Sequence, residues 1–167
     1  ANDIRWLSSG PRSGLGEIEI PSLQPGSSIM PGKINPVIPE SVIQVAMQVM
    51  GNDTTIMLAG QSGNFELNVT LPVIAYNLLQ SIMLIASVSR IFAEKCIDGI
   101  VAIRQKSASN VEKSLALATS LVPHIGYDQA AAIAKKAHET GKTIREVALE
   151  EKILPKDALD RLLSGSG

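Results

Sequence analysis

The residues best suited to chemistry lie in one run, Gly26-Ser27-Ser28-Ile29-Met30-Pro31-Gly32-Lys33-Ile34-Asn35-Pro36. It combines two hydroxyls, one ammonium and one carboxamide with glycine and proline, and it leads into an apolar stretch. Backbone N–H groups in such a loop, and at the helix start behind it, favour anions. Lys33 adds a full positive charge, and Asn35 can both donate and accept. The ligand these residue types suit is a small carboxylate or phosphate. A nucleotide-binding phosphate loop is excluded on three counts. That loop follows an apolar strand and places four residues between its first glycine and a Gly-Lys pair, which Ser or Thr follows. Here five residues separate Gly26 from Gly32, Ile34 follows the lysine, and no apolar strand enters. A capped loop without function has the same composition, since glycine-rich loops are common.

The elements around this loop must hold it. Residues 1–36 are rich in breakers, among them Gly10-Pro11, Gly14, Gly16, Pro21, Pro25-Gly26 and Pro31-Gly32. Ile18 and Ile20 alternate with Glu17 and Glu19, which allows a short extended stretch. A long irregular segment of this kind inside a compact protein is often a functional loop or lid. Residues 37–59 then form a helix that is apolar nearly all round, with Pro36 and Pro39 at its start, where a missing N–H costs little. Such a helix is expected to be buried on most sides. Gly60 to Gly63 interrupts the pattern, and a second long helix is expected from about Phe65 to Lys95, kinked or begun by Pro72.

The second half reads as short helices with local punctuation. Ser109 with Glu112 fits a capping box that opens a helix to about Leu121. Gly126 and Asp128 mark a turn and a new N-cap. The alanine-rich run 129–139 ends at Gly141, a C-terminal glycine cap. Thr143 with Glu146 is a second capping box, and Pro155 begins a last helix carrying Ala158, Leu159, Leu162 and Leu163. The fold class is therefore all-α. Residues 1–100 make a long-helix part that carries the loop, and residues 101–167 make a small helical domain.

Composition narrows the function classes. The 167 residues carry a formal net charge of −1, with no basic patch of the kind a nucleic-acid partner requires. Cys96 is the one cysteine, so no internal disulfide is available and a reducing compartment is the simple reading. No His/Cys cluster is present, and no metal or cofactor is expected. His124 and His138 lie far along the chain from the loop and read as structural or surface residues. From Asn68 to Ser89 there is no charged residue, a length that would cross a bilayer. Thr70, Asn77, Gln80, Ser81 and Ser87 fall on one side of that helix, which suits the middle of a helical bundle better than a membrane span. No basic start followed by an apolar run opens the chain, so no leader pattern is read there. The start at Ala1 and the end in Ser164-Gly165-Ser166-Gly167 suggest a piece of a longer protein.

The run Gly26 to Pro36 resembles the signature loop of the fumarase/aspartase superfamily, Gly-Ser-Ser-x-Met-Pro-x-Lys-x-Asn-Pro, at every fixed position. Asn2-Asp3-Ile4-Arg5, Ser9-Gly10-Pro11-Arg12, Gly51-Asn52-Asp53, Gly63-Asn64-Phe65-Glu66-Leu67-Asn68 and His124-Ile125-Gly126-Tyr127-Asp128 also resemble class II fumarase segments, in the expected order. The resemblance covers essentially the whole chain. It implies the long helices of the superfamily's central bundle, followed by its small C-terminal helical domain. It implies reversible hydration of fumarate to L-malate, without metal or cofactor, in a homotetramer with composite active sites. A cytoplasmic home follows, or a mitochondrial one in a eukaryote, with no nucleic-acid or membrane partner. Ser27 would be the catalytic base, and Lys33 and Asn35 would hold a substrate carboxylate. Ser28 and Ile34 would line the same substrate site. Glu40 would orient a catalytic histidine that this chain does not contain, so this polypeptide alone is expected to be inactive.

Alternatives remain within that resemblance. Gly32 before Lys33 and the run Gly63 to Asn68 look fumarase-like, since aspartases tend to have alanine at the first position. Val37-Ile38-Pro39-Glu40 is reminiscent of aspartate ammonia-lyases as well. The loops of argininosuccinate and adenylosuccinate lyases resemble this one less closely. A non-catalytic helical relative would be expected to lose the hydroxyl or the lysine, and Ser27, Lys33, Asn35 and Glu40 are all present. The long apolar helices also allow an assembly module as a reading.

Overall fold

A computed structural model describes residues 1–10 and 12–164. Pro11, part of an expected breaker and of one matched segment, lies outside the described residues, as do residues 165–167 of the terminal Ser-Gly run. The chain is all-α apart from one two-stranded ribbon among the described residues. It divides into two compact units, Ala1–Ile103 and Arg104–Gly167.

The first unit is built on a helical hairpin. A short helix α1 (Asn2–Leu7) precedes strand β1 (Ile18–Glu19), and then come α2 (Val37–Gly60) and α3 (Leu71–Lys95). A 3-10 turn, Ile97–Gly99, leads to β2 (Val101–Ala102), which pairs antiparallel with β1 through Ile18 opposite Ala102 and Glu19 opposite Val101. This ribbon ties the segment before the loop to the chain beyond α3. Pro21 then packs so closely on residue 99 that a Cβ there would lie 2.4 Å from its ring, so only glycine fits. At its other end the loop runs into α2, whose N-cap is Pro36. The loop is thus anchored to the two ends of the hairpin.

The hairpin buries its polar residues against each other. Asn52 of α2 is 3% exposed. Its Nδ2 donates to Gln80 Oε1 at 2.9 Å, to Ser81 Oγ at 3.0 Å and to the Asn77 carbonyl at 3.4 Å. Its Oδ1 accepts from Gln48 Nε2 at 2.9 Å. Ser81 and Asn77 are satisfied in turn, by the Asn77 and Val73 carbonyls of their own helix. Every buried donor in the seam therefore has an acceptor, which removes most of the cost of burying it. The polar side of α3 inferred from the sequence is, from Asn77 to Ser81, the side that meets α2; Ser87, near the far end, is exposed.

Two expectations are corrected here. The α2 helix is not buried on most sides within this chain. Met47, Met50 and Met57 are exposed, as are Leu79, Ile82 and Met83 of α3. A hairpin of two helices has one contact face, and here its middle is occupied by Asn52, Asn77 and Ser81 with small apolar side chains such as Ala59 and Val88 beyond them. The second helix also begins at Leu71 rather than near Phe65. Phe65 and Glu66 take positive φ, and Asn64 and Leu67 exchange backbone hydrogen bonds of 2.8 and 3.0 Å around them. Asn68 Nδ2 and Thr70 Oγ1 both donate to the Ala59 carbonyl, closing the turn onto the end of α2. Pro72 then sits in the first turn of α3, where no N–H is missed. The stretch Leu71–Gly99, at mean hydropathy 1.7, is long and apolar enough to cross a membrane by length and composition.

The second unit has a conventional core. Its elements are α4 (Arg104–Glu112), a 3-10 helix Leu115–Leu121, α5 (Val122–Ile125), α6 (Tyr127–Thr140), α7 (Ile144–Glu150) and α8 (Lys156–Leu163). Leu121, Ile133, Ile144, Val147 and Leu159 interlock fully out of solvent. The Thr143–Glu146 capping box is formed in both directions, at 3.2 and 2.7 Å. Gly141 ends α6 in the left-handed conformation. Asp128 lies inside the first turn of α6, whose N-cap is Gly126. The expected Ser109–Glu112 box does not form, because α4 ends where that helix was to begin. Glu112 instead takes two hydrogen bonds from Arg145, which also bonds Asp160 and so ties α4 to α7 and α8. The 3-10 helix that follows is capped by Ser114.

Candidate active site

The candidate site is the loop between β1 and α2. Its concave side encloses about 600 Å³, lined by Ser27, Met30, Lys33 and Ile34 among others. Ser27 is half-buried, and its Oγ accepts backbone N–H groups from Ile29 at 3.2 Å and Met30 at 3.1 Å. Those donors face the oxygen on which charge would develop if the hydroxyl lost its proton, and bonds to a charged form favour it. Lys33 stands exposed, and among the described residues its ammonium has no hydrogen-bond or ion-pair partner. It is a free positive charge beside the concavity.

Asn35 is half-buried at the foot of the loop. Its Nδ2 donates to the Gly26 carbonyl at 2.7 Å, and its own carbonyl accepts from Val37 N–H at 2.9 Å. Ser28 and Ile34 are exposed on the loop surface. Glu40 lies in the first turn of α2, half-buried, and among the described residues no hydrogen bond or ion pair of its carboxylate is formed. The loop therefore brings Ser27, Ser28, Lys33, Ile34 and Asn35 together, and Glu40 follows one helical turn into α2.

Sequence reasoning gave Gly26 no role beyond a turn. In the structure a Cβ added at this position would lie 2.3 Å from the Lys33 carbonyl oxygen, so the position requires glycine. No local pattern announces a contact between residues seven apart in an irregular loop. His124 and His138 belong to the second unit and are exposed. Cys96 is buried where α3 ends, and burial pushes its thiol pKa up, so it stays protonated and a poor nucleophile. Among the described residues no group of three metal-ligating side chains occurs.

Residues 1–51 match the family described as Lyase, and residues 117–166 match Fumarase C C-terminus. A fumarate hydratase class II of Thermosynechococcus vestitus is 54% identical over 96% of this chain. The chain belongs to the class II fumarase family. An aspartate ammonia-lyase from a Bacillus species is 49% identical over 98% of the chain, as expected for a superfamily that shares the loop. The crystal structure of a class II fumarase from Schistosoma mansoni superposes with a TM-score of 0.89 at 44% identity, over 97% of the chain. The chain spans about a third of the length of these relatives, at 34% of the first, 35% of the second and 34% of the third.

Proposed function

We propose that this chain supplies the signature-loop part of a fumarate hydratase. The observation that supports this most is the pair of N–H groups held on Ser27 Oγ. A serine hydroxyl is an ineffective base at neutral pH unless its oxyanion is stabilised. Two backbone donors supply part of that stabilisation, and the Lys33 charge lining the same concavity would add to it. In the direction of dehydration, Ser27 takes a proton from C3 of L-malate, and the electron pair moves into the adjacent carboxylate to give a doubly charged aci-carboxylate. Lys33 and the second N–H of Asn35 meet that charge, as preorganised donors do best. Loss of hydroxide, protonated as it leaves, then gives fumarate and water.

Glu40 would orient a histidine supplied by another segment. The exposed apolar sides of α2 and α3 suit association into a homotetramer, in which each site takes residues from several subunits. A cytoplasmic location goes with this reading. The chain alone is expected to show no turnover. The second reading, aspartate ammonia-lyase, draws on the 49% identical relative and would keep every loop role while changing the leaving group.

The test is a chimera in which these residues replace the matching third of the Thermosynechococcus vestitus relative. Fumarate absorbance is followed from L-malate and, separately, from L-aspartate. Turnover of malate alone is expected, and Ser27→Ala should lower kcat by about 10²- to 10⁴-fold. Turnover of aspartate alone would replace hydratase by ammonia-lyase. An inactive chimera that is correctly folded and assembled would reject both.

A further inference from the structure

Both backbone groups of Gly26 are engaged across the loop. Its N–H donates to the Lys33 carbonyl at 2.9 Å, and its carbonyl accepts Asn35 Nδ2–H at 2.7 Å. A Cβ on residue 26 would lie 2.3 Å from the Lys33 oxygen and 2.6 Å from the Lys33 carbonyl carbon. Backbone therefore touches backbone at this neck, which only glycine permits. The neck is half-buried at Gly26 and Asn35, whereas residues 28–34 are exposed. Ser27 is the residue after Gly26, and Lys33 is the residue that Gly26 touches.

We infer that Gly26 and Asn35 form a clamp at the neck of the loop, positioning residues that hold Ser27 beside Lys33 whatever the tip Ser28–Gly32 does. The inference rests on the roles proposed above for Ser27 and Lys33. A lysine raises the acidity of a hydroxyl only at short range. Ser27 and Lys33 lie six positions apart in an irregular, exposed loop that would not hold them together without a cross-link, and the clamp is that link. Asn35 has two N–H groups on Nδ2. The clamp uses one and leaves the other for a carboxylate, so positioning is added to binding.

Two measurements test the clamp. The first is amide hydrogen exchange on the chain as it stands, which needs no activity. The Gly26 amide should exchange more slowly than the Ser28 amide, and Asn35→Ala should bring it to the Ser28 rate. A Gly26 amide that already exchanges as fast as Ser28 overturns the clamp. The second uses the chimera. Gly26→Ala should lower kcat by about a hundredfold, the scale of a misplaced catalytic group. It should also move the limb of the pH–rate profile that reports the base to higher pH, because Lys33 no longer stabilises the Ser27 oxyanion. Partial unfolding alone would lower the rate without moving that limb. Unchanged kcat and an unmoved limb overturn the clamp. An inactive parent chimera with a slow Gly26 amide sinks the hydratase reading and leaves the clamp standing.

Discussion

The two units of this chain solve burial in opposite ways. In Arg104–Gly167 apolar side chains fill the interior, and the polar ones are spent on caps and ion pairs at the surface. In Ala1–Ile103 the helix–helix seam holds Asn52, Asn77 and Ser81, while methionines, leucines and isoleucines face outward. The first arrangement is complete by itself. The second leaves its apolar side chains in solvent within this chain, because a hydrogen-bonded seam specifies how two helices align but contributes little net stability. That exposed apolar surface is what the proposed tetramer would cover. The candidate chemistry sits on the incomplete unit, at the end of the hairpin.

The contrast is sharpest for leucines. Leu159→Ala, at a site with no solvent exposure, is expected to cost about 2–5 kcal/mol of the second unit's stability in chemical denaturation. Leu79→Ala, at 58% exposure on α3, should stay within about 0.5 kcal/mol while the chain is monomeric. Equal costs at the two positions in dilute protein would break the comparison. Next in size is Asn52→Ala, which leaves Gln80, Ser81 and Gln48 without their shared partner and should cost about 1–3 kcal/mol. A neutral outcome would mean that the seam does not fix the hairpin.

The smallest effect belongs to a cap in the second unit. Thr143→Ala should cost about 1 kcal/mol by removing the oxygen that accepts the Glu146 N–H. The Thr143 backbone N–H, and then its hydroxyl, hold the Glu146 carboxyl below the usual carboxylate range. A depressed folded value means that this contribution is present above the unfolded glutamate pKa of about 4.3 and is lost as pH falls through the folded value. The melting temperature should therefore fall on acidification below about pH 4.3, and less steeply in Thr143→Ala. An identical acid slope in the two proteins would remove Glu146 from the account.

What was legible in the sequence was local. The prolines at 36 and 39 announce the start of α2, Gly141 ends α6, and Thr143 with Glu146 opens α7, because each device acts within one turn of chain. Where a distant group competes, the same logic fails. Ser109 and Glu112 have capping-box spacing, yet α4 already runs through Ser109, and Arg145, thirty-three residues on, takes the Glu112 carboxylate. Phe65 begins an apolar pattern, yet the bonds of Asn68 and Thr70 to the end of α2 hold it in a turn.

The same division runs through the site. Sequence alone determined which groups are present: a hydroxyl at Ser27, a charge at Lys33, an amide at Asn35, on a loop rich in glycine and proline. It also determined that α3 has a polar side. Only the tertiary structure decided that this side turns inward onto Asn52, that two N–H groups converge on Ser27 Oγ, and that Gly26 binds Lys33 and Asn35 across the loop. The physical reason is range. Caps and periodicities are set by neighbours along the chain, whereas the choice among acceptors for a buried or half-buried donor is made by whatever the fold brings within hydrogen-bond distance.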